Sequence, residues 1–457
     1  MKDITNSSFT ILGAGRSGIA AAKLLKRNGA KVFLSDSTEK SKLKYFDESI
    51  LKEEEIEFEL GKHSEKIFDN EIFITSPGIS PGSEVLVKAG KLGIKIYSEI
   101  EAAYWFCRCP VIAITGTNGK TTTSVLTGEI FRNAGFDVRV CGNVGLAFSE
   151  VVSELREDSI AVLEVSSFQL NYIEEFRPNV AVVLNITPDH IDWHGSFDNY
   201  LKAKLELTKN QSSEDLAIIN YDDEVLRKSI ENLNAKKAFF SLKNDLIKEN
   251  IATGSFPEKG EIIYFDKEKN IEEKIMETRE ISIRGNHNLY NSLAAIISAR
   301  AFDIKKELIG ETLKEFKGVE HRIEFVREIA GIKFYNDSKA TNIDSLIVAL
   351  ESFDGDLILI LGGRESGNDY SRSDKPVKDK VKEIIAIGET RDKIYDHFKG
   401  YKKVTKVNSM EEAVIKAFEI SSGKDSVLLS PACKSFDMFD SYEHRGKEFK
   451  KFVNELK

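Results

Sequence analysis

The sequence predicts an α/β protein of three domains, in which mainly parallel sheets carry helices on their faces. Three observations predict this class: the length of 457 residues, the alternation of short apolar runs with helical stretches, and two places where that alternation restarts. Such a length is about three times that of a typical domain. With 41% hydrophobic and 30% charged residues, the composition is that of a soluble globular protein. A single small binding module and a disordered chain are therefore excluded.

The first domain, predicted over residues 1–100, is Rossmann-like. An amphipathic segment from Gly18 to Asn28 predicts a helix, and Gly29 is its expected end. The predicted strands are FTILGAG (9–15), KVFLSD (31–36), IEFELG (56–61), IFITSPG (72–78) and KIYSEI (95–100). An open sheet of this kind binds ligands at the carboxyl ends of its strands.

The second domain, predicted over residues 101–305, is a parallel sheet of the P-loop ATPase kind. Its predicted strands are VIAITG (111–116), SIAVLEVSS (159–167), VAVVLNITPDH (180–190) and LAIINYDD (216–223). The highly charged segment 232–284 is predicted to form short antiparallel strands at an edge of this sheet. A helix is expected to begin near Asn288.

The third domain, predicted over residues 306–457, is again Rossmann-like. Its predicted strands are IKFYNDS (332–338), DLILILGG (356–363), EIIAIGET (383–390) and SVLLSPAC (426–433). Their short apolar runs alternate with helical stretches, as in the first domain.

A glycine-rich turn follows the first predicted strand. GAGRSG (13–18) comes directly after that strand and Asp36 ends the second one, which is a dinucleotide-binding pattern. Alone the pattern is weak, and a purely structural turn stays an alternative. Because the next domain opens with a triphosphate loop, we expect the turn to hold the phosphates of a different nucleotide. SPGI (76–79) ends another strand of the same sheet and should lie beside the turn.

The strongest local signal is VIAITGTNGKTTTSVL (111–126), in which a strand, a glycine-rich turn, Lys-Thr and a helix follow one another. Glycines let backbone N–H groups approach phosphate oxygens, Lys120 can reach the β and γ phosphates, and the Thr121 hydroxyl can bind Mg²⁺. The loop is shorter than a Walker A motif, since Ile114 occupies the position of the first glycine. A chance glycine turn is the alternative, and the order of the four parts argues against it.

Two further strand ends of the second domain carry polar side chains. LEVSSFQL places Glu164 at one strand end, and NITPDH places Asp189 and His190 at the next. These ends should face the phosphate loop, where Thr121 and Glu164, together with His190, suit the hard cation Mg²⁺. A structural role for each residue is the alternative.

Charge and cysteine content exclude several classes of protein. Lys and Arg total 65 against 74 Asp and Glu, so bulk affinity for nucleic acid is not expected. Four cysteines are too few for a disulfide framework, and the expected location is the reducing cytoplasm. No apolar run approaches a membrane span. Cys107 and Cys109 form a C-x-C that lacks a second ligand pair, so packing is favoured there over metal binding.

Many strings in the chain resemble one family. The sequence is similar to the ATP-dependent Mur ligases of peptidoglycan synthesis across all three domains in order. The strings are GTNGKTT, GNVG (142–145), LEVSSFQL, NITPDH with YLKAK (200–204), HNLYNSLAA (287–295), GVEHRIEF (318–325), NDSKATN (336–342) and LSPACKSFDMF (429–439). GAGRSG, SPGI, NDSKATN and SPAC-x-SFD most resemble the branch that adds D-glutamate to UDP-N-acetylmuramoyl-L-alanine.

The resemblance implies an amide ligase with an acyl-phosphate intermediate. ATP would phosphorylate the alanyl carboxylate, and the amine of D-glutamate would displace phosphate through a tetrahedral intermediate. Catalysis is assigned to Lys120, His190, Lys204 and Lys339. Two Mg²⁺ ions are expected on Thr121, Glu164, His190 and Lys204, with Lys204 carbamylated. Without the resemblance, Lys204 would be interpreted as a surface residue of the helix 197–210.

The resemblance also implies the substrate sites. ATP is expected to contact Gly116, Thr117, Asn118, Gly119, Lys120, Thr121, Thr122, Asn291 (near adenine), Arg322 (phosphates) and Asp337 (ribose). The UDP-sugar should contact Gly15, Arg16, Ser17, Asp36, Ser37, Ser76, Pro77 and Gly78, with Asn143, Gln169 and His190 near its muramoyl-alanine end. D-glutamate should contact Thr341, Lys434, Ser435, Phe436 and Tyr442. His321 either joins the site or packs. A cytoplasmic monomer that binds neither nucleic acid nor membrane is expected.

Two departures from the family pattern lie in the third domain. Ser366 stands where a basic residue is expected, and Lys434 stands where a small alanine is usual. We hypothesise that Lys434 or Arg364 restores the positive charge that faces a carboxylate of D-glutamate. The alternative is that Lys434 is solvated and Ser366 bonds the ligand.

Two other function classes remain to be excluded. A folylpolyglutamate synthetase-like ligase or another Mur ligase would share the GTNGKT loop, but the former should lack the domain with GAGRSG and SPGI. A nucleotide switch without catalysis would not need Lys120, Glu164, His190, Lys204, Asp337 and Lys339 together.

Overall fold

Three β-sheets with helices packed on them make up the fold in the computed structural model, which describes residues 2–43, 46–283, 285–365 and 367–457. Ser366 therefore lies outside the described residues. By its internal contacts the chain divides into two compact units, residues 1–281 with 289–315 and residues 282–288 with 316–457. Strands are mainly parallel within each sheet, so the predicted α/β class with three sheet-based parts is confirmed.

The first sheet has five parallel strands in the order β3-β2-β1-β4-β5. Its elements are β1 (Ser8–Leu12), α1 (Arg16–Arg27), β2 (Lys31–Asp36), α2 (Glu48–Glu53), β3 (Glu57–Leu60), β4 (Ile72–Thr75), α3 (Glu84–Lys91), β5 (Lys95–Ser98) and α4 (Glu99–Tyr104). The strand order reverses between β1 and β4, so the loops after these strands diverge and leave a crevice. A Cβ on Gly18 would lie 1.9 Å from the Gly13 carbonyl oxygen, which explains the last glycine of GAGRSG.

The second sheet has the order β14-β13-β12-β11-β10-β9-β6-β8-β7. Its strands are β6 (Val111–Thr115), β7 (Val138–Gly142), β8 (Ile160–Glu164), β9 (Val180–Val183), β10 (Leu216–Asn220), β11 (Lys236–Phe240), β12 (Thr253–Glu258), β13 (Glu261–Asp266) and β14 (Ile271–Glu277). Its helices are α5 (Lys120–Asn133), α6 (Phe148–Val151), α7 (Ser167–Leu170), α8 (Ile191–His194), α9 (Phe197–Leu205), α10 (Glu224–Ser229), α11 (Asn286–Arg300) and α12 (Lys306–Glu315). Strands β6, β8 and β9 are buried throughout, as expected for a sheet covered on both faces.

The prediction of antiparallel strands over 232–284 is partly wrong. Strands β12, β13 and β14 are antiparallel at the sheet edge, as predicted. Strand β11 is instead parallel to β10, because helix α10 lies between them and provides the crossover that parallel pairing needs. Strand β9 ends at Val183 rather than at residue 190, since the residues that follow bond the phosphate loop instead of the sheet.

The third sheet has the order β15-β16-β20-β17-β18-β19, with β15 antiparallel at one edge. Its elements are β15 (Glu324–Ile329), β16 (Ile332–Asn336), α13 (Ile343–Glu351), β17 (Leu357–Gly362), α14 (Asp374–Lys380), β18 (Val381–Ile387), α15 (Arg391–Phe398), β19 (Lys403–Lys406), α16 (Met410–Ile420), β20 (Ser426–Leu429) and α17 (Tyr442–Glu455). The four strands predicted from sequence are the central ones. Strands β15 and β19 were not predicted because they are half-exposed edge strands without an apolar run.

Glu101 on α4 fixes the first sheet to the second within one compact unit. Its buried carboxylate accepts hydrogen bonds from the backbone amides of Glu174, Glu175 and Phe176 at 3.0, 2.9 and 2.9 Å. Such a multiply bonded buried carboxylate holds the loop before β9 in one place. Over the described parts of the chain, none of the helices has both the length and the apolar character that crossing a membrane requires.

Candidate active site

A cavity of about 1030 Å³ lies at the crevice of the first sheet. Eight of the residues predicted to hold a UDP-sugar line it: Gly15, Arg16, Ser17, Asp36, Ser37, Ser76, Pro77 and Gly78. Thr38, His63, Ser83 and Lys88 also line it, and sequence reasoning did not single them out. The turn after β1 and the turn after β4 therefore meet in one cavity, as expected from the strand order.

Polar groups in this cavity fall into two kinds. Asp36 is already occupied, because its carboxylate accepts hydrogen bonds from the backbone N–H groups of Ala14 and Thr38 at 2.7 and 2.8 Å. By contrast, the buried hydroxyl oxygens of Ser76 and Ser83 have no hydrogen-bond partner among the described residues. A buried hydroxyl without a partner is costly unless a ligand satisfies it. These two serines are therefore candidates for a hydrogen bond to a molecule bound in the cavity.

The phosphate loop runs from β6 into α5, and Gly119 caps the helix in the left-handed conformation at φ 88°. Two asparagines brace it: the Asn118 N–H donates to Asn185 Oδ1 at 2.9 Å, and Asn185 Nδ2 donates to the Asn118 carbonyl at 3.0 Å. A Cβ on Gly119 would lie 2.4 Å from Asn291 Oδ1. Asn291, which was expected near the adenine, thus lies directly against the loop.

Two lysines converge on one carbonyl of the loop. Lys120 Nζ and Lys204 Nζ each donate a hydrogen bond to the Gly116 carbonyl oxygen at 2.8 Å. Lys120 Nζ also donates to the Thr117 carbonyl at 2.9 Å. Both amines thus lie at the loop where phosphate oxygens would bind, and Thr121 and Thr122 are buried at the start of α5.

Lys204 is a buried residue rather than a surface one. Its side chain is 2% exposed and lies over the Tyr200 ring, with Nζ 4.8 Å from the ring centroid. Burial lowers the pKa of its amine well below the usual value, and the charge of Lys120 lowers that pKa further. A buried lysine of this kind carries a neutral, nucleophilic amine more readily than a surface lysine does.

One carboxylate oxygen of Glu164 accepts a hydrogen bond, and the other has no described hydrogen-bond partner. Oε1 accepts a hydrogen bond from Asn143 Nδ2 at 2.9 Å, whereas Oε2 is buried without a partner among the residues the structure describes. An anionic oxygen left in this state is costly, and a cation would satisfy it. The donor set of Glu164 and the nearby threonine hydroxyls therefore fits Mg²⁺, which prefers oxygen ligands.

His190 and Gln169 differ in exposure: the His190 side chain is half-exposed, whereas Gln169 is buried. His190 adopts a left-handed backbone conformation with φ 52°, and its half-exposed ring lies 4.9 Å from that of Phe168. Gln169 is buried, and its Oε1 accepts hydrogen bonds from both the backbone N–H and the hydroxyl of Ser166 as part of a helix cap. Gln169 and Asn143 are not among the residues that line the cavity of the first sheet.

In the second compact unit, Asp337 lies at the end of β16 and is fully buried among polar groups. Its carboxylate accepts hydrogen bonds from the Ser430 hydroxyl at 2.8 Å and from the Ile323 N–H at 3.3 Å. Burial raises the pKa of Asp337 to about 7, against the opposing effects of Ser430 and Arg322. The Lys339 N–H donates to the His321 carbonyl at 3.1 Å. The residues predicted around ATP in this unit thus share one end of the sheet.

His321 packs beside two carboxylates, Glu320 and Glu324, in the one three-residue group of metal-binding type found in the described part of the chain. Lys450 Nζ pairs with both, at 2.5 Å to Glu320 and 2.9 Å to Glu324. Glu324 also accepts from Asn336 Nδ2 at 2.9 Å. The single positive charge of Lys450 thus lies against both carboxylates, and Glu324 also belongs to the hydrogen-bond network around Asn336.

Four of the residues predicted around D-glutamate, Thr341, Lys434, Ser435 and Phe436, lie on the segments that follow β16 and β20, and Tyr442 is the first residue of α17. Arg364 and Lys434 pair through the backbone, with the Arg364 N–H donating to the Lys434 carbonyl at 2.8 Å, and both residues are exposed. Phe436 is 56% exposed, while Ser435 is buried. Lys339 Nζ lies 5.5 Å from the centroid of the Tyr442 ring. The structure thus brings the two candidate replacement cations side by side.

Sequence reasoning missed Asn185 and Tyr200. The Tyr200 hydroxyl lies 3.0 Å from the Thr117 hydroxyl of the phosphate loop. Asn185 lies within the predicted strand VAVVLNITPDH (180–190) and Tyr200 precedes Lys204 by four residues, so both positions could have been found from the strings that contain them. His63 and Ser83 had no sequence signal, because single polar residues of loops and caps are common.

Three family models match the chain. They are a MurD N-terminal domain over residues 8–85, a Mur ligase middle domain over 114–299, and the Mur ligase, glutamate ligase domain over 321–433. Each match falls on one of the three sheets described above.

Curated relatives and solved structures agree with these models. The UDP-N-acetylmuramoylalanine--D-glutamate ligase of Caldicellulosiruptor bescii is 44% identical and that of Salinibacter ruber 40% identical, each over 99% of both chains. MurC of Thermotoga maritima has a TM-score of 0.60 at 19% identity, covering 99% of this chain and all of that one. MurF of the same organism, solved with ADP, has a TM-score of 0.59 at 16% identity over the whole of both chains. The chain belongs to the Mur ligase family, in the group whose members are named UDP-N-acetylmuramoylalanine--D-glutamate ligase.

Proposed function

We propose that this chain is an ATP-dependent ligase that joins D-glutamate to UDP-N-acetylmuramoyl-L-alanine in cytoplasmic peptidoglycan precursor synthesis. The observation that carries this proposal is the phosphate loop on which Lys120 and Lys204 converge, in a chain whose full-length relatives bear that activity in their names. The name of the MurF structure, a complex with ADP, supports the use of an adenine nucleotide.

The reaction needs positive charge at the transferring phosphate. A carboxylate is a poor electrophile with a poor leaving group, so ATP converts it to an acyl phosphate, and the amine of D-glutamate then displaces phosphate. The first step brings two anions together. Lys120, which in the structure donates to two carbonyls of its own loop, exchanges these bonds for phosphate oxygens when ATP binds.

Glu164 and Thr121 are the residues that would hold Mg²⁺, because Glu164 Oε2 is a buried anionic oxygen without a described partner. When bound, the ion neutralises phosphate charge and orients the transferring group. Asn143 keeps the Glu164 carboxylate oriented through the bond to Oε1. His190 lies seven residues after the end of β9, at the N-cap of α8, and is proposed for the second ion.

Lys204 is proposed to be carbamylated. Its amine is buried and burial lowers its pKa, so the neutral form that reacts with CO₂ is more readily reached than in a surface lysine. In the reaction, the nitrogen of the neutral amine bonds the carbon of CO₂ and releases one proton, so the neutral amine becomes an anionic carbamate. The carbamate oxygens would then serve as ligands for Mg²⁺, next to Lys120, which contacts the same Gly116 carbonyl.

The remaining substrate sites are assigned to the first and third sheets. The cavity of the first sheet binds the UDP-sugar, and the loops after β16 and β20 bind D-glutamate. Arg322, Asp337 and Lys339 act on ATP. We also propose that the chain works as a monomer, with domain boundaries near residues 100 and 305.

Release of inorganic phosphate with UDP-N-acetylmuramoyl-L-alanine, ATP and a panel of amino acids tests the proposal. Release should need all three substrates and should be fastest with D-glutamate, compared with L-glutamate, D-aspartate and meso-diaminopimelate. Release that is fastest with meso-diaminopimelate, or that needs a folate in place of the UDP-sugar, would instead identify another ligase of this fold. No release under any combination would indicate a nucleotide-binding protein without catalysis.

A further inference from the structure

Two thiols lie side by side where the chain passes from the first sheet to the second. Cys107 and Cys109 follow α4 and precede β6, and their Sγ atoms are 3.7 Å apart. Both are free cysteines. A disulfide needs an S–S distance of about 2.05 Å, so rotation of the side chains over less than 2 Å would bring the sulfurs to bonding distance. The proposed ligase reaction uses neither thiol.

The two thiols differ in access and in acidity. Cys107 is half-buried, whereas Cys109 is 8% exposed. The hydrogen bond from the Cys109 thiol lowers the pKa of Cys107, and the same contact, together with burial, raises the pKa of Cys109. Reaction with an oxidant needs a thiolate that solvent can reach. Cys107 is the more exposed of the two thiols and the one whose pKa is lowered, and the buried Cys109 sulfur lies 3.7 Å from it.

We propose that Cys107 and Cys109 form a peroxide-sensitive dithiol site that closes to a disulfide between the two residues. The Cys107 thiolate attacks one oxygen of hydrogen peroxide, the O–O bond breaks, and sulfenic acid and hydroxide form. The Cys109 sulfur then attacks the Cys107 sulfur and the S–OH bond breaks, so hydroxide leaves and Cys109 loses its proton. In total, two thiols are oxidised to a disulfide and one peroxide is reduced to two waters.

The other two cysteines lack this arrangement. Cys141 on β7 and Cys433 after β20 are both fully buried, and burial raises the pKa of each thiol. Cys433 Sγ is also enclosed by polar partners, since Asn368 Nδ2 lies 3.3 Å and the Tyr370 hydroxyl 3.4 Å from it. Selectivity for the Cys107–Cys109 pair is therefore expected from access and thiolate character together.

The test treats the native full-length chain with hydrogen peroxide, removes the oxidant, and counts free thiols after denaturation in an alkylating reagent. The count should fall from four to two, and a reductant should restore four. In Cys109→Ser the count should fall from three to two, with Cys107 trapped as sulfenic acid by a dione reagent. Cys107→Ser should lose no thiol under the same treatment, and Cys141→Ser should fall from three to one.

Arg108 between the two cysteines supplies a second measurement that needs no variant. Trypsin cuts after arginine, so cleavage at Arg108 separates Cys107 and Cys109 into two peptides in the reduced protein. In the oxidised protein the cleaved peptides should stay joined and separate only on reduction. An unchanged count of four thiols, loss of Cys141 or Cys433 instead, or two separate tryptic peptides after peroxide would each overturn the proposal.

Discussion

The phosphate loop and the loops predicted to bind D-glutamate differ in how far the protein itself already holds their side chains. At the phosphate loop, Lys120 and Lys204 donate to backbone carbonyls, and Asn118 and Asn185 are paired in both directions. At the other loops, Arg364 and Lys434 join through the backbone while their side chains reach solvent. The side chains of the first region are already held by the protein, whereas the second region presents exposed cations on a paired backbone.

This difference separates two kinds of mutational effect. Groups held in place beside the transferring phosphate act on the transition state, so their removal lowers kcat. Exposed cations on loops contribute mainly to ground-state binding, because solvent screens them and their side chains lose freedom when they bind. We therefore expect large effects on kcat from the first region and moderate effects on KM from the second.

Lys120→Ala should give the largest effect, a loss of at least about 100-fold in kcat, the size expected when one charged or dipolar partner is removed from a transition state. Phosphate release under saturating substrates measures it. Thermal unfolding should stay close to that of the parent, because Lys120 is partly exposed and its bonds are to its own loop.

Arg132→Ala is the matched control for this variant. Arg132 lies near the end of the same helix α5, is 42% exposed and pairs only with Glu129 in the described salt bridges. Its kcat should equal that of the parent. A kcat of Lys120→Ala within about tenfold of the parent would remove Lys120 from catalysis and leave the loop as a structural turn.

Lys204→Ala should lower kcat by about 10- to 100-fold, the range for a residue that orients or completes a metal site. Removal of CO₂ at fixed pH should likewise lower the kcat of the parent enzyme, and added bicarbonate should restore it. Lys202→Ala, an exposed neighbour on the same helix α9, should behave like the parent. Full activity in CO₂-free buffer would exclude the carbamate while leaving a role for the amine itself.

The sequence was sufficient for the central strands and for the phosphate loop, because buried parallel strands and the strand–turn–helix order leave clear local patterns. It was not sufficient for Lys204. The two lysines of the helix string YLKAKL look alike in the sequence, and only the fold decides that Lys204 faces Gly116 while Lys202 faces solvent. Burial of a charged residue depends on long-range packing, which periodicity does not report.

The direction of β11 and the places of His63 and Ser83 in the cavity wall also depend on long-range packing, so the sequence did not predict them. β11 was expected to be antiparallel, but its direction is set by the short helix α10 that precedes it, which carries too few residues to give a strong helical pattern. His63 and Ser83 reach the cavity of the first sheet from a loop and from a helix cap. Neither residue belongs to a sequence motif, since single polar residues are common in loops and at helix caps.

Lys434→Ala should raise KM for D-glutamate by about tenfold, with KM for ATP and kcat nearly unchanged. A hydrogen bond to a charged group contributes about 1.5 to 3 kcal/mol, and the exposed position of Lys434 favours the lower value. If Arg364 rather than Lys434 binds the D-glutamate carboxylate, Arg364→Ala should raise the D-glutamate KM by a similar factor. Lys399→Ala, an exposed lysine paired with Asp396, is the control. An unchanged D-glutamate KM in both Lys434→Ala and Arg364→Ala would show that neither cation replaces the missing base.

The smallest effect is expected in the cavity of the first sheet, from Ser83→Ala. Ser83 precedes α3 but makes no side-chain cap bond, and its buried hydroxyl has no partner within the described ranges, so its loss should not lower thermal stability. If the UDP-sugar supplies the missing partner, KM for that substrate should rise about two- to tenfold, the equivalent of one hydrogen bond of about 0.5–1.5 kcal/mol. Ser80→Ala is the matched control, because the Ser80 hydroxyl accepts a bond from the Gly82 N–H and does not line the cavity. Equal KM values for the two variants would mean that the unpartnered hydroxyl of Ser83 is not used in binding.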